Sequence, residues 1–201
     1  MSIFNSVKVT MPRRSGFRMD HDVKLTFDAG YLVPVMTQEV LPGDHWRVGA
    51  DAFVRMMPML APVMQRFDLK LEAFFVPNRL LFKDWKEFIT GGEDGTAEIA
   101  LPDIIVNRDN AFDPNYLLCN GSLADYLEFP TIDSSEDFND YISGTQTVSL
   151  PSGPFKAYQL IYNEYYRDEN LIDEVNILFD ETNDIGNAVQ VRNLLSLRKR
   201  A

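Results

Sequence analysis

Strict alternation of apolar and polar positions marks the first part of this chain. Val23-Lys24-Leu25-Thr26-Phe27 shows the period of two expected of a half-buried strand. Asp28-Ala29-Gly30 breaks or bulges it. Residues 31–40 hold Val33, Val35 and Val40, but Pro34 lacks a backbone donor, so the segment predicts an edge strand or an irregular extension. Leu41-Pro42-Gly43-Asp44 predicts a turn, with Pro and Gly at its centre. A further strand is expected over 46–56, with Trp46, Val48 and Ala50 on one face. Pro58 and Pro62 then mark a methionine-rich loop. The clearest strand is 67–75, where Phe67, Leu69, Leu71, Ala73 and Phe75 share one face and Asp68, Lys70 and Glu72 the other.

The period then lengthens. Leu81, Phe82, Trp85, Phe88 and Ile89 recur at helical spacing, with Asn78 expected as the cap and Gly91-Gly92 as the stop. Residues 93–153 follow neither period, and Pro102, Pro114, Pro130 and Pro151 punctuate them. They predict a long structureless insertion of functional origin. A second helix is expected from Pro154, a favourable first helical residue, with a stripe of Phe155, Tyr158, Ile161, Tyr162 and Tyr165 and an end at 167–170. A third is expected over about 186–199, with Val191, Leu194, Leu195 and Leu197 inward and Arg198, Lys199 and Arg200 at the negative end of its dipole.

The predicted organisation is a basic arm over 1–18, strands and a helix over 19–92, an acidic insertion over 93–153, and a helical segment over 154–201. Every expected strand precedes residue 78, and so few strands would leave edges unpaired. The expectation is a mainly β domain that continues beyond the chain or is completed by partners.

Composition narrows the class. At 201 residues with 45% hydrophobic and 12% aromatic side chains, the chain can build a core and is not of disordered composition. Cys119 is the sole cysteine, which excludes an intrachain disulfide and a cysteine zinc cluster; it is expected as a small buried apolar residue. No apolar run approaches the roughly 20 residues of a membrane span, and the first 17 residues hold no continuous apolar block of the secretory kind.

The net charge of −11 hides a gradient. Residues 1–18 carry +4 through Lys8, Arg13, Arg14 and Arg18, residues 19–92 carry −2, residues 93–184 carry −17, and residues 185–201 carry +4. A basic arm ahead of a neutral body suits phosphate contact, whereas the acidic middle must face away from nucleic acid.

Catalytic and metal motifs are missing. There is no GxxxxGK[ST], GxGxxG or GxSxG, and Gly91-Gly92-Glu93-Asp94-Gly95 would repel phosphate. Asn120-Gly121-Ser122 fits a glycosylation sequon without a secretion signal to support it. Asp133/Glu136/Asp137/Asp140, Asp168/Glu169/Asp173/Glu174 and Asp180/Glu181/Asp184 offer hard oxygens but match no EF-hand loop, so they read as solvated faces. His21 beside Asp22 has no nucleophile near it, and His45 beside Trp46 follows a turn. The reading is of a protein that is not an enzyme and uses no cofactor or metal. Met56, Met57, Met59 and Met64 read equally as core filler or as an adaptable contact surface.

Several ordered blocks then carry a resemblance. Residues 21–27 and 38–44, Met59-Leu60-Ala61-Pro62-Val63-Met64, residues 74–80, residues 85–92 and residues 158–168 resemble, in order, the major capsid proteins of the Microviridae, small single-stranded DNA phages, and the gokushovirus-like branch most. The likeness covers about 20–92 and 154–170. It implies a viral jelly roll, a β-sandwich with long helical and loop insertions, of which this chain would be an incomplete N-terminal portion. It also implies an icosahedral shell of many copies, located in the virion and assembled in the bacterial host cytoplasm. Phe82, Trp85 and Phe88 would anchor the first helix to the sheet. The loop 56–64 and the acidic insertion would lie at contacts between copies or on the outer surface. Arm 1–18 would meet the single-stranded genome or a small internal DNA-binding protein, beside other virion proteins. The alternatives are a carbohydrate-binding or cupin-like β-protein, for which two histidines are too few metal ligands, and a DNA-binding module led by the arm.

Overall fold

A computed structural model of the chain describes residues 15–62, 64–107, 118, 120–131 and 147–175, with the backbone alone along 105–107 and 147–148. The elements in chain order are helix α1 (Asn78–Leu81), helix α2 (Trp85–Thr90), strand β1 (Asp103–Asn107), helix α3 (Leu123–Tyr126), strand β2 (Thr147–Pro151), helix α4 (Gly153–Ile161) and a π-helical turn (Tyr162–Tyr166).

The first expected helix is two. Phe82 leaves α1 with extended backbone, φ −125° and ψ 121°, before α2 starts at Trp85. The break turns the Phe82 ring toward α4, where the Lys156 ammonium sits 4.7 Å from its centre. Asn78 does not cap α1: Pro77 holds the cap position, with no side-chain hydrogen bond there. The stop is as expected. Gly91 takes the left-handed conformation at φ 73°, and the Gly91 and Gly92 N–H groups both donate to the Glu87 carbonyl, at 2.8 and 3.2 Å. A β-carbon at Gly91 would sit 3.0 Å from the Gly95 backbone, so only glycine fits there.

Residues 93–153 are not structureless. β1 and β2 pair antiparallel, with Asp103 opposite Pro151 and Ile104 opposite Leu150. The Ser149 hydroxyl donates to Asp103 at 2.7 Å, and the Ser152 hydroxyl donates to the Pro102 carbonyl. These bonds hold β1 and β2 together as a neck. Between the two strands in sequence, Ser122 caps α3 by accepting from the Asp125 N–H at 3.3 Å, while the Asp125 carboxylate accepts from the Gly121 N–H at 2.7 Å. Helix α3 packs on the body of the protein: Leu118, Leu123, Ala124 and Leu127 are buried, and the Phe129 ring stacks on Phe155 at 5.1 Å.

Helix α4 begins at Gly153 with Pro154 in its first turn, close to the expected start. Phe155, Tyr158 and Tyr162 face inward as the stripe requires. Tyr165 does not, at 67% exposed, because the wider π-helical turn carries it off the stripe. Arg167 leaves the helix in extended conformation, as expected. The core thus sits among α1, the β1–β2 neck, α3 and α4, with Leu81, Phe82, Ile104, Leu150 and Phe155 among its buried members.

The strands expected over 23–27, 31–40, 46–56 and 67–75 form no ladder. Among the described residues the one ladder is β1–β2, which lies after residue 78 rather than before it. A strand exists only with a partner for its backbone groups, and the described residues offer these segments none. The turn at 41–44 is present, with the Asp44 N–H donating to the Leu41 carbonyl at 3.1 Å. The third expected helix, about 186–199, lies outside the described residues.

Candidate assembly interface

Segment 67–75 buries neither of its faces: Asp68, Lys70 and Glu72 are exposed, and Phe74 alone is half-buried. It meets the helices at its end, where the Tyr166 hydroxyl donates to the Glu72 carboxylate and Phe74 packs against Tyr165 at 4.8 Å and against the edge of Tyr166 at 6.2 Å. Burial, then the hydrogen bond and negative charge of Glu72, push the Tyr166 hydroxyl up to about 12. Phe67, Leu69, Leu71 and Phe75 face solvent, Phe75 at 76% exposed.

The open apolar surface extends upstream. Met56, Met57, Met59 and Met64 are exposed, as are Trp46, Val48 and Phe53, with Phe53 at 93%. The methionines are therefore not core filler in this chain. Large apolar side chains exposed in such number along one segment are the mark of an interaction surface.

Phe82, Trp85 and Phe88 form a continuous stack, 6.2 Å from Phe82 to Trp85 and 5.5 Å from Trp85 to Phe88. Phe82 joins it to α4, buried beneath Lys156, whereas Phe88 is exposed. Arg18 is exposed and paired with Asp20 at 2.7 Å, while Lys8, Arg13 and Arg14 lie outside the described residues. His21 does not engage Asp22: its Nδ1 lies 3.0 Å from the Met19 carbonyl. Cys119 and the acidic groups at 133–140 and 180–184 lie outside the described residues. Asp168 closes a turn by accepting from the Asn170 N–H at 3.0 Å. Among the described residues no three His, Cys, Asp or Glu side chains converge as a metal site would require, and no helix is long and apolar enough to cross a membrane.

The hydroxyl partners of three tyrosines are not legible in the sequence. Tyr126 donates to the Thr26 carbonyl at 2.5 Å and Tyr158 to the Leu32 carbonyl at 2.8 Å, in addition to Tyr166 on Glu72. Burial raises the Tyr158 hydroxyl pKa, with the neighbouring Tyr162 adding to it. Burial, then Asp125 and Asp28, raise that of Tyr126. A tyrosine on a helix stripe signals burial, but nothing in the sequence tells which carbonyl its hydroxyl will reach.

Known proteins share this chain's sequence over most of its length. The family model described as capsid protein (F protein) matches residues 5–200. Capsid protein VP1 of Chlamydia phage 1 is 36% identical over 176 residues, covering 84% of this chain and 26% of that protein. Capsid protein VP1 of Bdellovibrio phage phiMH2K is 32% identical, covering 81% and 27%. Capsid protein VP1 of Spiroplasma virus 4 is 26% identical, covering 86% and 28%. The chain spans about a quarter of the length of these relatives.

Proposed function

Because the chain belongs to the capsid protein (F protein) family, which it matches over residues 5–200, we propose that it serves as part of the major capsid protein of a small icosahedral single-stranded DNA phage. Its role is structural, not catalytic: it builds a shell with other copies of itself, and its place is the virion. The observation that carries this reading is the open apolar run from Trp46 to Phe75 on a protein whose own small core is elsewhere. Surface of this kind is stable only when a further protein layer covers it.

The finer reading has four parts. The fold of the whole protein is a viral jelly roll, supported by the apolar–polar alternation of the sequence at 67–75 and by the exposure of its apolar side chains, which suits a facing sheet. Met56, Met57, Met59 and Met64 lie within the covered surface, where flexible thioethers adapt to a neighbour. Lys8, Arg13, Arg14 and Arg18 give the 1–18 arm its +4 charge and its affinity for genome phosphates or a small internal DNA-binding protein. Assembly takes place in the cytoplasm of the bacterial host.

The test is to purify particles by density gradient from a lysing host culture and to quantify their tryptic peptides. Residues 71–79, released between Lys70 and Arg79, should appear at the abundance of the dominant coat component. Absence of that peptide from particles whose other coat peptides are abundant would overturn the reading.

A further inference from the structure

The long segment 15–75 has a distinctive pattern of burial. Residues 31–35 are half-buried and Phe74 is half-buried, while every described residue from 36 to 73 is exposed. Each of the half-buried points adjoins a tyrosine hydroxyl from the folded body. Tyr158 on α4 reaches the Leu32 carbonyl, and Tyr166 on the π-helical turn reaches Glu72 beside Phe74. Tyr126 on α3 adds a third bond at the Thr26 carbonyl, next to half-buried Leu25. These bonds span 94 to 126 residues of sequence.

We propose that Tyr126, Tyr158 and Tyr166 are the clips of a strap, which pin the N-terminal segment to the helical body at residues 26, 32 and 72 and hold the intervening run 36–71 open for the surface that covers it. Two of the three acceptors are backbone carbonyls, so these clips fix position along the chain without demanding a particular side chain. Pinning both ends restricts the open run before assembly, which lowers the ordering entropy that its burial must overcome. That last step rests on the shell reading; the strap itself does not.

The experiment is limited trypsin digestion of the full 201-residue chain before any assembly, with peptides quantified by mass spectrometry. Lys24 and Lys70 each stand two residues from a clip, whereas Arg47 and Arg55 lie in the open run. Tyr126→Phe should raise cleavage after Lys24, and Tyr166→Phe cleavage after Lys70, by about fivefold, the factor one net hydrogen bond carries. Cleavage after Arg47 and Arg55 should stay unchanged, as should amide hydrogen exchange along α4, which reports the helical body. Tyr158→Phe should speed amide hydrogen exchange at residues 31–35 and leave α4 protected. Unchanged cleavage at Lys24 and Lys70, or an equal rise at all four sites, would overturn the strap. The digestion is read on unassembled chain, so its failure is separable from absence of the 71–79 peptide in particles.

Discussion

Glu128 sits where the backbone wants glycine. It takes φ 65°, the left-handed region, just past α3. There its N–H donates to the Asp125 carbonyl at 3.0 Å, and the next N–H, of Phe129, donates to Ala124 at 2.9 Å. This is the paired-bond helix ending that glycine normally supplies, and a β-carbon makes it cost about 1 kcal/mol. Glu128→Gly should therefore raise stability by about 0.5–1 kcal/mol, seen as a higher melting temperature; a lower one would contradict the local account. Tyr166 makes a second residue-level prediction. Its hydroxyl pKa rises from 10.0 unfolded to about 12 folded, so its contribution is intact below pH 10 and is lost as pH climbs toward 12. Denaturant titrations between pH 9 and 12 should show that decline, and Tyr166→Phe should make it shallower. An identical profile in both proteins would show that the Glu72 bond is not formed in solution.

At the scale of elements, what was legible in the sequence was local. Pro154 near a helix start, Gly91 at a helix stop and the turn at 41–44 are each set by a residue's own backbone preference, and each is where the sequence places it. The β1–β2 neck was not legible, because its strands are five residues each and are separated in sequence by residues 108–146. Pairing over that distance leaves no periodic trace. Helix α3 does leave one, the Ser122-Leu123-Ala124-Asp125 cap pattern, set within an acidic, proline-marked stretch. Alternation at 67–75 is legible as a pattern, but it does not say which positions meet the helices: Glu72 and Phe74 do, because Tyr166 and Tyr165 wait there. Phe155 joins these elements, fully buried and stacked on Phe129. Phe155→Ala should cost about 3–5 kcal/mol and loosen α3 together with α4. A loss below 1 kcal/mol would mean that α3 and α4 are not packed as one unit.

For the whole molecule, the sequence predicts strands before residue 78, whereas among the described residues the buried apolar side chains lie in helices and the β1–β2 neck. The difference is physical: a helix and a local cap satisfy their own backbone, whereas a strand and its apolar face require a partner. The candidate surface followed the same logic. The methionine cluster was visible as a cluster, but its composition fits core and contact surface alike, and only its exposure separates the two. The family is one of capsid proteins, and this chain spans about a quarter of the length of its relatives, so the open surface from Trp46 to Phe75 is the part of the account on which assembly turns. The most direct measurement is the rate at which dilute peroxide oxidises Met56, Met57, Met59 and Met64 in the 201-residue chain and in purified particles. The account predicts fast oxidation in the free chain and strong protection in the particle. Equal rates in both would contradict it, because the surface proposed to be covered would then stand open in the shell.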